Sequence, residues 1–425
     1  MNPQEHRLAT YVGIDWADQQ HQVCLQVDRH SPRSAQALDQ TPEAITEWAL
    51  KLKGQFPDGL IGVCLEQSRG PLIYALSQFP WLVLYPINPK SLARYREALY
   101  PSLSKDDPTD AELLCQFLQF HESQLRAWHA DDSTTRRLRL LQENRRTLVD
   151  DRSRLSNRLT DCLKRYYPQA LRWAGPLTQP MAWDYLLKWP TLAQVQHAQK
   201  RTVLAFYYAH HVRRGDELTQ RHQEMHQAIP LLQDAAIVET TVSMVQAICR
   251  QLHAIERAIR QHDREIAAVF AVHEDHDLFA TLPGAGPVLA PRLVVAFGTN
   301  RDRWQEAGDL QRLCGAAPVV ERSGKTCWVH WRWAAPAFLR QTFHEYALHS
   351  MHKSQWAAAY YRLSRERGKS HHAAVRALAF KWIRVLYRCW KERTPYDETR
   401  YINELRRRGA PLLRHLKPET QDQAA

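Results

Sequence analysis

Two short apolar runs near the amino terminus each end in a single acid: Tyr11-Val12-Gly13-Ile14-Asp15, and Leu60-Ile61-Gly62-Val63-Cys64-Leu65-Glu66. Runs of this length and composition read as strands, so each delivers a carboxylate at a strand end. Asp107 and Asp110 follow in Lys105-Asp106-Asp107-Pro108-Thr109-Asp110-Ala111. Acids at strand ends and at a helix start are what a metal-dependent nuclease-type fold requires. Oxygen-only ligands suit Mg²⁺, which takes a few carboxylates and completes its octahedron with water and substrate phosphate.

Residues 8–120 read as alternating α/β, with strand signals at 11–14, 23–27, 61–65 and 82–86 and the clearest helices at 45–52 and 72–79. The texture then changes. Leu141, Leu148 and Leu155 recur every seven residues and Cys162 continues the series, which predicts a long amphipathic helix over 132–167, ended at Tyr166-Tyr167-Pro168. A second such helix spans about 232–270, with Ile248, Leu252, Ile255, Ile259 and Ile266 on one stripe. Two long helices around a mixed segment (168–231) predict an antiparallel coiled-coil arm with an insertion. That arm is equally a dimerisation element without chemistry. From Leu278 a third unit begins: Leu282-Pro283-Gly284-Ala285-Gly286-Pro287 opens a helix, Ala316 to Lys325 reads as a short strand entering a tight polar turn, and 336–407 is helical. The tail after Leu416 reads as disordered. The fold class is α/β followed by all-α.

At 425 residues the chain has room for two or three domains. Its 57 Lys and Arg against 45 acids leave a formal charge of +12, an excess that favours a polyanionic partner. No apolar run approaches the roughly 20 residues of a spanning helix, and no signal-peptide core opens the chain, so membrane attachment is not expected. The eight cysteines are dispersed without a Cys-x-x-Cys pair. That predicts reduced, mostly buried thiols in a cytoplasmic protein and argues against a disulfide framework or a zinc site.

Each candidate residue also has a plainer explanation. Asp15 and Glu66 singly are turn or cap acids; together, like-charged carboxylates imply a cation between them. Asp107 fits a helix N-cap, with Pro108 at the first helical position and Asp110 three residues on; Asp106 competes with Asp107 as third ligand. Gly284 and Gly286 either expose backbone N–H groups to a DNA phosphate at a helix start or form an ordinary turn. Ser323, in Arg322-Ser323-Gly324-Lys325, is by itself a turn serine, although flanking bases would favour an alkoxide and hold a phosphate. The C-terminal helices interleave bases and aromatics, among them Trp356, Tyr360, Tyr361, Arg365, Arg367, Lys369, His371, Arg376, Lys381, Trp382, Arg384 and Trp390. Such a mixture suits nucleic-acid grooves, with Trp382 and Trp390 expected in the core.

The ordered set of motifs resembles the DEDD transposases of insertion sequence family 110, the bridge recombinases. Asp15, Glu66, Asp107 and Asp110, with Ala111 closing a D-x-x-D-A ending, match the family's four acids; Leu282 to Pro287 match its LPGxGP opening, Ser323-Gly324-Lys325 its SGK, and Pro395-Tyr396-Asp397 with Tyr401 also look familial. The third acid departs from the family's more usual Lys-Thr-Asp. The resemblance implies a RuvC-like RNase H domain over 1–125, a coiled-coil arm with insertion over 126–275, a C-terminal transposase domain over 276–410 and a tail over 411–425. It implies Mg²⁺ held by the four acids, Ser323 as the nucleophile that forms a covalent phosphoserine, and phosphate contacts from Gly284, Gly286, Arg322, Lys325, Arg365, Lys369, Arg376 and Lys381. The implied partners are donor DNA, target DNA, a structured noncoding guide RNA and further copies of the chain as a homodimer or homotetramer, acting at the bacterial nucleoid. The alternatives are a RuvC-like hydrolytic nuclease such as a junction resolvase, with Ser323 structural, and a noncatalytic nucleic-acid-binding scaffold.

Overall fold

The structure is a computed structural model in which residues 8–66, 70–99, 107–332 and 335–416 are described. Asp106, the side chain of Asp107 and the tail after Leu416 lie outside the described residues. Two compact units make up the chain, Met1–Ala130 and Asp131–Ala425.

The first unit is mixed α/β. In chain order it runs β1 (Thr10–Asp15), β2 (Gln20–Gln26), β3 (Ser34–Asp39), α1 (Pro42–Gln55), β4 (Ile61–Leu65), α2 (Pro71–Leu76), β5 (Leu82–Pro86), α3 (Pro89–Leu99) and α4 (Asp107–His121). The sheet order is β3-β2-β1-β4-β5, with β1, β2 and β3 antiparallel and β1, β4 and β5 parallel. Val12, Ile14, Ile61, Val63 and Leu65 are fully buried, as expected of parallel strands covered on both faces. α1 and α2 pack on one side through Ile45, Trp48, Leu72 and Ile73, and α4 covers the other through Leu113, Leu114 and Leu118.

β3 is absent from the sequence expectation. Its Ser-Ala-Gln-Ala-Leu-Asp buries only Leu38; an edge strand of such residues owes its form to pairing with β2, not to propensity. α2 is shorter than the expected 72–79, closing at Ser77.

The second unit is mostly helical. α5 (Ser133–Tyr166) and α11 (Ala235–Ala271) bracket the short α6 (Ala170–Trp173), α7 (Pro180–Lys188), α8 (Leu192–Gln196), α9 (Lys200–Ala209) and α10 (Gly215–Gln227). Then follow α12 (His276–Ala280), α13 (Gly286–Phe297), α14 (Ala307–Leu313), the hairpin strands β6 (Val319–Ser323) and β7 (Thr326–His330), α15 (Ala337–Ser350), α16 (Gln355–Glu366), α17 (His371–Glu392) and α18 (Glu398–Arg407). α5 and α11 run antiparallel, since Arg145 pairs with Asp263 and Arg152 with Glu256. Leu148 and Leu155 are only half-buried, because two helices alone cannot enclose a stripe.

The ends of the pair are better covered. At one end Leu138, Ile266, Val269 and Phe270 join the C-terminal core around Phe297, Phe343, Trp356, Trp382 and Trp390. At the other, Leu159, Leu163, Ile248 and Leu252 share a second core with Trp173, Trp183, Tyr185 and Tyr207 of the intervening helices. The base of the pair is therefore continuous with the C-terminal helices. All eight cysteines are free thiols, six of them buried. Among the described residues no helix is long and apolar enough to cross a membrane.

Candidate active site

β1 and β4 are neighbours and parallel, with Gly13 opposite Cys64 and Ile14 opposite Leu65. The next residue on each is an acid, so Asp15 and Glu66 emerge side by side at the carboxyl ends of adjoining strands, whose axes lie about 4.8 Å apart. In open α/β sheets ligands bind outside these ends. Both acids are partly exposed, whereas Ile14 and Leu65 directly behind them are fully buried.

The second pair of acids is brought in by α4. A Cβ on Gly13 would lie 2.0 Å from the Ala111 carbonyl oxygen and 2.4 Å from the Cys115 nitrogen, so α4 can rest on β1 only because residue 13 has no side chain. The Cys115 thiol donates to the Tyr11 carbonyl at 3.3 Å and fixes the helix along the strand. Ala111 is thereby pinned against the strand that ends in Asp15. That gives the Asp-x-x-Asp-Ala ending a packing reason. The helix opens at Asp107, one residue earlier than a cap at that position would have it. Asp110 is buried, 2% exposed, and its carboxylate pairs with Arg96 of α3.

Sequence reasoning missed Arg96, and it missed His21. His21, on β2, is fully buried. Its Nδ1 accepts the Ala17 backbone N–H at 3.1 Å and its Nε2 donates to Gln40. Burial lowers its pKa, against the Gln40 hydrogen bond, so the ring stays neutral and can accept. It thus fixes the turn two residues beyond Asp15. Only a pairing across β1 and β2 reveals that role, and a lone His in an apolar strand carries no such signal.

Among the described residues no three His, Cys, Asp or Glu side chains gather into a group able to hold a metal ion. The described candidates at the strand ends are nonetheless all carboxylates. That donor chemistry fits Mg²⁺, which needs only one or two protein carboxylates beside water and substrate phosphate.

Ser323 belongs to the second unit. β6 and β7 pair as a hairpin, with Ser323 opposite Thr326 across the two-residue loop Gly324-Lys325. Gly324 has φ +56° and Lys325 is not among the residues of positive φ, the pattern of a type II′ turn. Arg322, Ser323 and Lys325 are all exposed, as are Val320, Trp328 and Val329. Farther down the ribbon His330 bonds Glu321 at 2.8 Å, which raises its pKa.

Of the other candidates, Gly284 packs against the His349–Ser350 backbone, where a Cβ would come within 2.7 Å, while Gly286 faces open space. Arg365 and Lys369 are exposed. The Arg376 guanidinium lies 4.9 Å from the centre of the Trp331 ring. Lys381 stands 5.9 Å from that of Tyr360, its pKa lowered by burial and by Arg384 and Arg408. Trp356, Trp382 and Trp390 are fully buried, so these three rings are core, and the bases carry what the group can offer a nucleic acid.

A model of DEDD transposases of the IS110 type, described as "Transposase", matches residues 12–168, and one described as "Transposase IS116/IS110/IS902 family" matches residues 276–362. The chain belongs to the IS110 transposase family. The first match contains all four acids and the second contains both Leu282–Pro287 and Ser323. Family relatives match over longer stretches. The mini-circle putative transposase for IS117 of Streptomyces coelicolor is 29% identical over 424 residues, covering 96% of this chain and 99% of the relative. An uncharacterized 44.8 kDa protein of insertion element IS116 from Streptomyces clavuligerus is 23% identical, over 89% of this chain and 93% of its own. A 43.6 kDa protein of insertion element IS110 from Streptomyces coelicolor is 25% identical, over 70% and 74%.

Proposed function

We propose that the chain moves its own DNA element, cutting and rejoining strands through a phosphoserine on Ser323 with the help of the acids of the α/β unit. The observation that carries this reading is the emergence of Asp15 and Glu66 on adjoining parallel strand ends, with α4 seated on Gly13 beside them. In this reading the first unit is an RNase H/RuvC-like domain and the α5–α11 pair is a coiled-coil arm. An exposed serine between two bases at a hairpin tip supports the nucleophile assignment, because it can reach a phosphate without rearranging a core.

The Ser323 hydroxyl oxygen forms a bond to phosphorus while the bond from phosphorus to one sugar oxygen breaks. The serine proton leaves to a carboxylate, and the released sugar oxygen is protonated. In the reverse sense, the hydroxyl of another strand displaces the serine and regenerates a phosphodiester, so the covalent link stores the bond. Arg322 and Lys325 hold the phosphate and favour the serine alkoxide. Asp15, Glu66, Asp107 and Asp110 would hold Mg²⁺, which when bound supplies neutralisation of charge developing at phosphorus. The acids and the serine lie in different units, so the site is completed between copies of the chain in a homodimer or homotetramer. Donor and target DNA are chosen by a bound noncoding RNA, and the enzyme works in the cytoplasm, on the nucleoid.

The test is to purify the protein from cells carrying its element, sequence the RNA that accompanies it, and offer the complex labelled DNA from the element's ends on a denaturing gel. The expected result is one discrete transcript and a protein-linked DNA band, lost in both Ser323→Ala and Asp15→Asn. Random cellular RNA would remove the guide. Free DNA ends that persist in Ser323→Ala would replace the recombinase with a hydrolytic nuclease.

A further inference from the structure

At the foot of the Ser323 hairpin the second unit has a cleft of about 610 Å³, with Arg146 of α5, Trp331 after β7, Arg340 and His344 of α15, and His372 and Arg376 of α17 on its walls. The Arg340 and Arg376 guanidinium groups stand 5.2 and 4.9 Å from the centre of the Trp331 ring, and the His344 and His372 rings are 5.7 Å apart. We propose that this cleft grips a phosphodiester of the DNA strand flanking the one that meets Ser323. The proposal rests on the recombinase reading for the identity of that DNA.

The charge in the cleft is not balanced from within. Glu345 is the only carboxylate on its walls, and it is taken by Arg292, which also donates to Thr342 at 3.1 Å. Arg146 pairs with Asp150 on its own helix at 3.1 Å. Among the described residues neither Arg340 nor Arg376 has a carboxylate partner. Burial lowers the pKa of Arg376. Burial also lowers that of His344, with His372, Arg376 and His371 acting in the same direction against Glu345. Like charges converging in a half-buried space repel, and an anion between them removes the penalty. Guanidinium forks match phosphate oxygens in pairs.

A rival basic groove of about 670 Å³ lies between α17 and α18, but its bases alternate with Glu392, Asp397 and Glu404, so it offers less unmet charge. Position favours the first cleft as well. Ser323 stands opposite Thr326 and Trp331 follows the end of β7; five residues of strand place the cleft roughly 17 Å from the hairpin tip. With phosphates about 3.4 Å apart along the axis of one strand, the phosphate held here lies about five nucleotides from the one attacked. It is a positioning contact, blind to sequence.

The test is fluorescence anisotropy of the full-length protein on duplexes of two unrelated sequences, titrated at several salt concentrations. Arg340→Gln/Arg376→Gln is expected to weaken binding to both duplexes about tenfold or more and to reduce the slope of log K against log salt by roughly 2, near 0.9 for each lost contact. Arg376→Lys, which keeps the charge, is expected to retain most of its own share of the slope, and melting curves are expected to stay within error of the wild type. An unchanged slope in the double variant would overturn the site. So would an Arg376→Lys variant as weak as Arg376→Gln, since that marks a ring-packing role. A loss confined to RNA would overturn the assignment to DNA. A wild type that binds neither duplex would remove the nucleic-acid reading itself, a failure visible before any variant is compared.

Discussion

The sheet end that carries Asp15 and Glu66 and the hairpin that carries Ser323 are supported in opposite ways. Behind the acids every side chain is buried, α4 touches β1 backbone to backbone at Gly13, and His21 holds the following turn from a third strand. The hairpin is two five-residue strands whose side chains are nearly all exposed, closed by a turn with open space around Gly324. The carboxylates are fixed by packing that involves several elements, so they move only if the unit is rebuilt. The serine is fixed by the local turn alone. Two kinds of substitution separate these cases: those that disturb distant packing, and those that alter a single backbone angle.

Gly13→Val gives the largest expected effect. The new side chain meets the carbonyl oxygen of Ala111 and the amide nitrogen of Cys115, neither of which can swing aside as a flexible chain end would. Overpacking of this kind costs about 3 kcal/mol or more. Hydrogen exchange should accelerate across β1, β4 and α4, and protein-linked DNA should vanish, while the peptides of β6 and β7 exchange as in the wild type. Native exchange rates in β1 and α4 would show that the contact yields, and the contrast between the two regions would lose its main support.

A smaller effect is expected from pH, and it falls on the acid-bearing region. His21 has a pKa below 6.5 in the folded state because burial disfavours its charged form. The unfolded chain therefore binds the proton more tightly than the folded one. The stabilisation from neutral His21 is fully present above pH 6.5 and is lost as pH falls below 6.5 through the folded value. Protonation turns Nδ1 from acceptor into donor, facing the N–H of Ala17. Corrected for its intrinsic pH dependence, exchange protection of residues 16–22 should fall several-fold between pH 7 and pH 5, and His21→Leu should abolish the dependence along with part of the protection. Protection independent of pH in the wild type would mean that the turn holds without the ring.

These contrasts also explain what could be read from residues alone. β1 and β4 were legible because each is an apolar run that stops at one acid, and α5 and α11 because a seven-residue repeat survives even where the stripe is only half-buried. β7 was not, since Thr-Cys-Trp-Val-His packs little of itself and exists by pairing with β6. The Asp110–Arg96 pair joins two helices, and the His21–Ala17 bond crosses two strands. No local pattern marks either partner. The Trp331 cleft gathers residues from α5, α15 and α17, which the sequence separates by as many as 230 positions (Arg146 to Arg376); of its cations only Arg376 stood out, as one base in a long mixed run. What the sequence reveals is the residue whose neighbours in the chain share its role.

The smallest effect is expected at the hairpin turn. Gly324 has φ +56°, where an L-residue is strained, and a Cβ there would meet nothing within 4 Å. Gly324→Ala therefore carries only the backbone penalty, about 1 kcal/mol, equivalent to roughly fivefold in local opening. Exchange in residues 319–330 should rise by that factor and the yield of protein-linked DNA should drop by no more, with β1 and α4 unaffected. The serine itself remains, so the residual band should disappear only when Ser323→Ala is added. If Gly324→Ala alone removed the band as completely as Ser323→Ala, the hairpin tip would be as tightly specified as the acid-bearing sheet end, and the supposed freedom of the serine would be an error.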